Sequence, residues 1–222
     1  MRVGLRIDVC TWQGLRHGVS PLLRLLDRFQ LRASVFAALG PDTSGRAVFQ
    51  LLRPGFLRKL RRTRAVRTYG LRTVLSGTLL PPRHMGHETA ALRAIAGAGH
   101  ELAVHGYDHR RWQDGIHRMP AAAVREEVWR ALAAYRAAVG APPPAFGAPG
   151  WQCTEASLLA VEEAGLRYAS DTRGAAPFLP VVAGRRLSTP QLPTSLPTLD
   201  ERLGVDGVDE EGFPRLILRE LR

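Results

Sequence analysis

Val3, Leu5 and Ile7 alternate with Gly4, Arg6 and Asp8, a period of two that predicts a strand ending at Asp8. Val9 to Val19 reads as a loop, and Ser20-Pro21 as the N-cap and first turn of a helix carrying Leu22, Leu23, Leu25, Leu26 and Phe29. Ala33 to Leu39 is a continuous apolar run, the mark of a buried strand, and it stops at the turn signal Gly40-Pro41-Asp42. Further along, Val48, Phe49, Leu51, Leu52, Phe56, Leu57 and Leu60 are interleaved with arginines and broken by Pro54-Gly55, a pattern for two short amphipathic helices. Glu88 to Gly97 is a helix around Leu92 and Ile95, and Glu101 to Val104 is a strand. Pro120 opens a helix whose inner face is Val124, Val128, Leu132, Tyr135 and Val139, ended by Gly140 and the prolines after it. Ala145 to Ala148 is a short strand, Thr154 caps a helix running to about Ala164, and Leu166 to Ser170 is another strand. Phe178 to Pro197 is proline-rich and loop-like with one strand near Val181-Val182, and a last helix starts at Pro214.

Strands alternating with helices predict a parallel α/β architecture, barrel-like or doubly wound. In such folds reactive groups gather beyond the C-terminal ends of the strands. Asp8, His105, Pro149-Gly150-Trp151 and Asp171 all follow predicted strands, so the pattern places them together. No internal repeat or domain boundary is visible, and residues 1–222 are expected to form one domain, with residues 46–72 a basic amphipathic insertion within it.

Composition fits a sizeable core, with 45% hydrophobic residues in 222, and no apolar run reaches membrane-spanning length. The N-terminal stretch lacks the apolar centre of a signal peptide, and Cys10 and Cys153 could form one disulfide, although nothing points to an oxidising compartment. The expectation is a cytoplasmic protein, soluble or attached to a surface. The net charge of +11 is unevenly spread: no acidic residue lies between Asp42 and Glu88, while seven basic residues lie from Arg53 to Arg67. That field favours an anionic partner such as phosphate headgroups. Few aromatics are placed to stack bases and no binding motif is recognised, so nucleic acid is not expected, and no protein partner is inferred.

The candidate chemistry centres on Gly99 to Trp112. His105 and His109 stand four apart just after a strand, and a turn into helix there would set both imidazoles on one side for a divalent metal. Asp108 between them is a candidate for orienting a histidine, or a solvated loop aspartate. Asp8 is a candidate general base or metal ligand, or a loop-capping carboxylate. Asp171 and Arg173 read as a salt-bridged pair, either setting the charge of a neighbour or purely structural. His84 and His87 have HxxH spacing but no evident third ligand. The turn from Gly40 to Arg46 offers backbone amides and Arg46 to a phosphate, without the Gly-Lys-Ser ending of a P-loop.

Several strings recur together in a known group: Arg6-Ile7-Asp8-Val9, Gly40-Pro41-Asp42 with Gly45-Arg46, Met85-Gly86-His87, and His105-Gly106-Tyr107-Asp108-His109. So do Gly150-Trp151, Leu166 to Gly174 with Pro177-Phe178, and Leu196-Pro197-Thr198 with Asp200-Glu201. The chain resembles the 4-deoxy-4-formamido-L-arabinose-phosphoundecaprenol deformylases, a branch of the polysaccharide deacetylase superfamily, from about Arg2 to Glu201. The resemblance implies a distorted (β/α) barrel and hydrolysis of an N-formyl group from an undecaprenyl-phosphate-linked aminosugar, in the aminoarabinose modification of lipid A that underlies polymyxin resistance. It implies a divalent metal (zinc, manganese or cobalt), with Asp8 as base on the attacking water and His105 and His109 on the metal. Asp171 and Arg173 are carried over as catalytic, and Asp42, Arg46, Tyr107 and Trp151 as substrate-binding. Arg53, Phe56, Leu57, Arg58, Lys59, Arg61 and Arg62 would grip an anionic membrane at the inner face of the inner membrane.

Two departures accompany the resemblance. The group reads Asp-Val-Asp where this chain has Asp8-Val9-Cys10, so Cys10 is expected as the third ligand, a soft thiolate suited to zinc. The group also continues through a strand bearing a histidine that serves as general acid, which neither His100 nor His117 matches in position. The last barrel strands are expected to be lacking, leaving an open edge. The alternative to an active deformylase is a silent relative that binds lipid-linked sugar phosphate without turnover.

Overall fold

The computed structural model describes residues 3–46 and 71–221, with side chains in the second stretch from Thr73 onward. Five parallel strands form one sheet in the order β1 (Arg6–Val9), β2 (Ser34–Ala37), β3 (Glu101–Val104), β4 (Ala145–Phe146) and β5 (Tyr168–Ala169). Helices lie between them: α1 (Val19–Arg28), α2 (Leu71–Leu75), α3 (Thr89–Gly97), α4 (His109–Gly115), α5 (Ala121–Val139) and α6 (Glu155–Glu163). After β5 come a hairpin, β6 (Val181–Val182) and β7 (Arg185–Arg186), then α7 (Leu199–Arg202) and α8 (Gly212–Glu220).

The register explains the two faces. Val9, Ala37, Val104, Phe146 and Ala169 align across the sheet, and Ile7, Val35 and Leu102 align one pleat away. This face packs with Leu92 and Ile95 of α3, Val124, Val128 and Leu132 of α5, and Val161 of α6. The opposite face is lined differently. Phe36, Ala103 and Ala145 form a small apolar centre against Tyr168. Below it Glu101 accepts hydrogen bonds from Ser34 and Tyr168 and pairs with Arg167. Above it, at the C-terminal ends of the strands, stand Asp8 and His105.

The sheet curls like a barrel wall. Arg6 on β1 crosses to the far side, where its Nη1 donates to the carbonyl and hydroxyl oxygens of Ser170, just past β5, at 2.5 and 2.7 Å. The outer side of β5 is taken by the chain itself: Ala169 N donates to Pro190 O and Leu192 N donates to Ala169 O, in a parallel sense. The edge left without a strand among the described residues is therefore that of β1.

One expected loop is helical. Gly14–Gly18 forms a π-helical turn that runs directly into α1, so the helix begins before Ser20-Pro21. Trp12, Leu15, Val19 and Leu26 are buried, at the spacing of one helical stripe, and their burial extends the helix upstream. Of the apolar residues this helix carries, Leu25 and Phe29 are exposed. Cys10 and Cys153 are both free thiols.

Candidate metal centre

Three connections at the C-terminal end of the sheet build the site. β1 delivers Asp8 on the inner face, with Cys10 one residue past the strand. β3 ends at Val104, and His105 N still donates to Ala37 O at 2.8 Å, so the His105 ring starts from fixed backbone. The chain then turns sharply at Gly106, whose φ of 75° suits glycine; a Cβ there would stand 3.0 Å from the Pro149 ring. Asp108 caps α4, its Oδ1 accepting from Arg110 N, Arg111 N and Thr43 Oγ1. That cap starts the helix at His109 and brings its ring to 5.0 Å from that of His105. The ligand atoms of Cys10, His105 and His109 all lie within 4.8 Å of one another.

Hydrogen bonding fixes the chemistry of these groups. His105 is buried, and its Nδ1 lies 2.7 Å from Gly147 O, an oxygen that can only accept. Nδ1 therefore carries the proton and Nε2 turns its lone pair inward, 3.7 Å from Asp8 Oδ2. Burial pushes the pKa of His105 down, and that of His109 down to about 3, so both rings are neutral donors at pH 7. Arg6 grips both oxygens of Asp8, Nε to Oδ1 at 2.7 Å and Nη2 to Oδ2 at 3.0 Å. Burial opposes ionisation of Asp8, but the nearby His105, the Arg6 guanidinium and its hydrogen bonds outweigh it and hold the carboxyl below its ordinary range. Burial, then the Asp8 carboxylate, raise the Cys10 thiol. Two neutral imidazoles and a sulfur converging beside an ionised carboxylate fit a divalent metal of borderline softness.

The remaining expected residues fall into separate places. Trp151 (φ 53°) stacks under the Arg173 guanidinium at 3.7 Å, has Arg6 at 5.7 Å, and donates from Nε1 to Thr194 Oγ1. Asp171 and Arg173 do not form the expected pair. Asp171 points inward and accepts from Ala148 N and Gln191 Nε2, while Arg173 reaches Leu196 O and Glu201, so each is held by partners from elsewhere in the chain. Asp42 closes its own turn, accepting from Trp12 N and Ser44 N, and Arg46 Nε donates to Gly77 O. Tyr107 OH meets His84 Nε2 at 2.8 Å under the Arg130 guanidinium, and His84 stacks on His87 away from the metal ligands. Asp108 serves as a helix cap and does not orient a histidine. Arg53, Phe56, Leu57, Arg58, Lys59, Arg61 and Arg62 lie outside the described residues.

Sequence reasoning missed Arg6, Gly147 and Gln191. Arg6 had a signal, since it shares a strand face with Asp8 two residues on. Gly147 had none: a Cβ there would meet the Phe36 ring at 2.7 Å and Arg6 Nη2 at 3.0 Å, a packing constraint visible only in three dimensions.

The sequence pattern of the polysaccharide deacetylases matches residues 3–169. The chain belongs to the polysaccharide deacetylase family. This is a family of hydrolases that cleave amide bonds. A relative from Shewanella sediminis, named a probable 4-deoxy-4-formamido-L-arabinose-phosphoundecaprenol deformylase, is 37% identical over 219 residues, which are 98% of this chain and 70% of that protein. One of the same name from Wigglesworthia glossinidia brevipalpis is 28% identical, over 86% of this chain and 68% of that protein. Among solved structures, a polysaccharide deacetylase assignment from Mycobacterium smegmatis superposes with a TM-score of 0.61 at 18% identity, covering 98% of this chain and 71% of that one. PuuE allantoinase superposes at 0.58 with 21% identity, covering 93% and 54%. Both structural likenesses concern the fold, which is the polysaccharide deacetylase barrel, with no strand beyond β1 among the described residues.

Proposed function

We propose that this polysaccharide deacetylase relative is a metal-dependent deformylase acting on 4-deoxy-4-formamido-L-arabinose-phosphoundecaprenol at the inner face of the inner membrane, in the modification of lipid A. One observation carries the reading: a carboxylate gripped by Arg6 faces the converging donor atoms of Cys10, His105 and His109. The Shewanella relative's name supports the choice of substrate.

Cys10, His105 and His109 would hold the metal, which when bound supplies a Lewis acid toward the formyl carbonyl. Asp8, kept ionised and aimed by Arg6, accepts the proton of the attacking water as its oxygen bonds the formyl carbon. The carbon–nitrogen bond then breaks, the proton held by Asp8 passes to the departing amine, and formate and the free aminosugar result. The Gly147 carbonyl holds His105 in one tautomer throughout. Formate release by the purified chain, with metal content measured in parallel, tests this. His105→Ala and Asp8→Asn are each expected to lower turnover at least about a hundredfold, with metal lost only from the histidine variant. Full turnover by Asp8→Asn would sink the assignment.

A second reading has its own observation. Cys10 replaces a carboxylate, and burial favours its protonated thiol. A chain that binds sugar phosphate without turnover would purify with little metal and release no formate.

A further inference from the structure

We propose that the β6–β7 hairpin is a membrane anchor, which seats its apolar outer face among anionic lipid headgroups. This rests on the lipid-linked substrate read above and concerns a segment separate in sequence from the basic stretch of residues 46–72. The hairpin is tight: Val181 pairs with Arg186 and Val182 with Arg185, across a two-residue turn in which Ala183 and Gly184 have φ of 48° and 78°. Its inner side is buried through Val182 and Leu187. Glu162 of α6 braces it, accepting from the Ser188 amide and hydroxyl and from Thr189 N.

The outer side is apolar and exposed. Val181 is 64% exposed, Phe178 43% and Leu179 40%, and Arg186 is exposed beside Val181, while Arg185, the partner of Val182, is exposed next to the tight turn. Val181 and Arg186 are direct cross-strand partners and so share a face. An apolar wedge with Arg186 on its face and Arg185 at the hairpin's tip, on a braced support, is the arrangement that enters the headgroup layer, the side chains reaching the acyl boundary and the guanidinium groups the phosphates. Charge agrees: between Asp171 and Asp200 the chain has no acidic residue, and it has Arg173, Arg185 and Arg186. A second copy of a chain with net charge +11 would bring arginine against arginine, which disfavours self-association through this face.

The position suits a substrate held in the bilayer. At the root of the hairpin Phe178 and Gln191 exchange both backbone hydrogen bonds, and Gln191 pairs side chain to backbone and side chain with Asp171. Asp171 in turn accepts from Ala148 N, next to the Gly147 carbonyl that holds His105. The anchor is thus tied by hydrogen bonds to the wall of the metal centre.

The test titrates the full chain with vesicles of phosphatidylcholine and phosphatidylglycerol in equal parts. Val181→Asp and the pair Arg185→Glu with Arg186→Glu are each expected to weaken binding at least about tenfold, and Val181→Trp to strengthen it with a blue-shifted emission. The pair Arg24→Glu with Arg28→Glu, an equal charge change on exposed positions of α1, is expected to weaken it less than about threefold. Wild-type binding that Val181→Asp leaves unchanged overturns the proposal, as does an equal loss in the α1 pair, or no vesicle binding at all. Formate release from detergent-dispersed substrate separates the two readings: Val181→Asp keeps it if the anchor alone is lost, and a wild-type chain that binds vesicles but releases no formate fails only as a deformylase.

Discussion

Arg6 shows how much of this site hangs on one side chain. Its guanidinium holds both oxygens of Asp8, lies over the Phe36 ring at 4.6 Å, and reaches Ser170 across the open side of the barrel. A lysine keeps the charge but cannot form the planar two-point grip. Arg6→Lys is therefore expected to lower kcat roughly a hundredfold while KM moves less than about threefold, because the role read for Arg6 is to aim the base. Steady-state formate kinetics check it, and a loss confined to KM would assign Arg6 to substrate binding instead. Asp171 carries a different signature. Burial pushes its pKa up to about 6, against the hydrogen bonds from Gln191 and Ala148 that pull it down. The folded chain then keeps this proton between about pH 4 and pH 6, where the unfolded chain has lost it. The side chain's contribution to stability is full below that window and declines as pH rises through it, by on the order of 2–3 kcal/mol. Asp171→Asn removes the titration, so denaturant unfolding of the variant is expected to gain on the wild type by that amount from pH 4 to pH 7. A constant difference across the range would mean the carboxyl ionises in the fold as freely as in the open chain.

At the scale of elements, what the sequence discloses follows from how local the determinant is. β2, β3, α3 and α5 announce themselves by apolar run or helical period, and each boundary lies within a few residues of the expected one. The turn from His105 into α4 is equally local, since an Asp-His-Arg-Arg string after a strand is an N-cap followed by a first turn. The π-helical turn was hidden because Gly14 and Gly18 read as loop punctuation, although Trp12, Leu15 and Val19 already carried the helical stripe. The separation of Asp171 from Arg173 was also hidden. Adjacent opposite charges suggest a pair, and only the parallel docking of residues 190–194 along β5 supplies the Gln191 that claims Asp171. The Arg6 grip belongs to the same class, because its second anchor lies 164 residues away.

At the scale of the whole molecule, the open side of the barrel is the feature with most consequence. β5 is protected by residues 190–194, whereas β1 ends the sheet with no strand beyond it among the described residues, and Val3 and Leu5 leading into it are exposed. An unpaired parallel edge with apolar side chains is a template for another chain, and the net charge of +11 is what opposes that contact. Screening by salt weakens the repulsion without touching the edge. The chain is therefore expected to associate more strongly at about 1 M salt, where the screening length falls to roughly 3 Å, than at low ionic strength. Leu5→Lys places a charge on the edge at an exposed position and is expected to suppress that association while changing unfolding stability by less than about 0.5 kcal/mol. Sedimentation velocity across a salt and concentration series measures both effects. If Leu5→Lys associates as the wild type does, the contact lies elsewhere on the surface, and the β1 edge is shielded in solution despite having no strand beside it among the described residues.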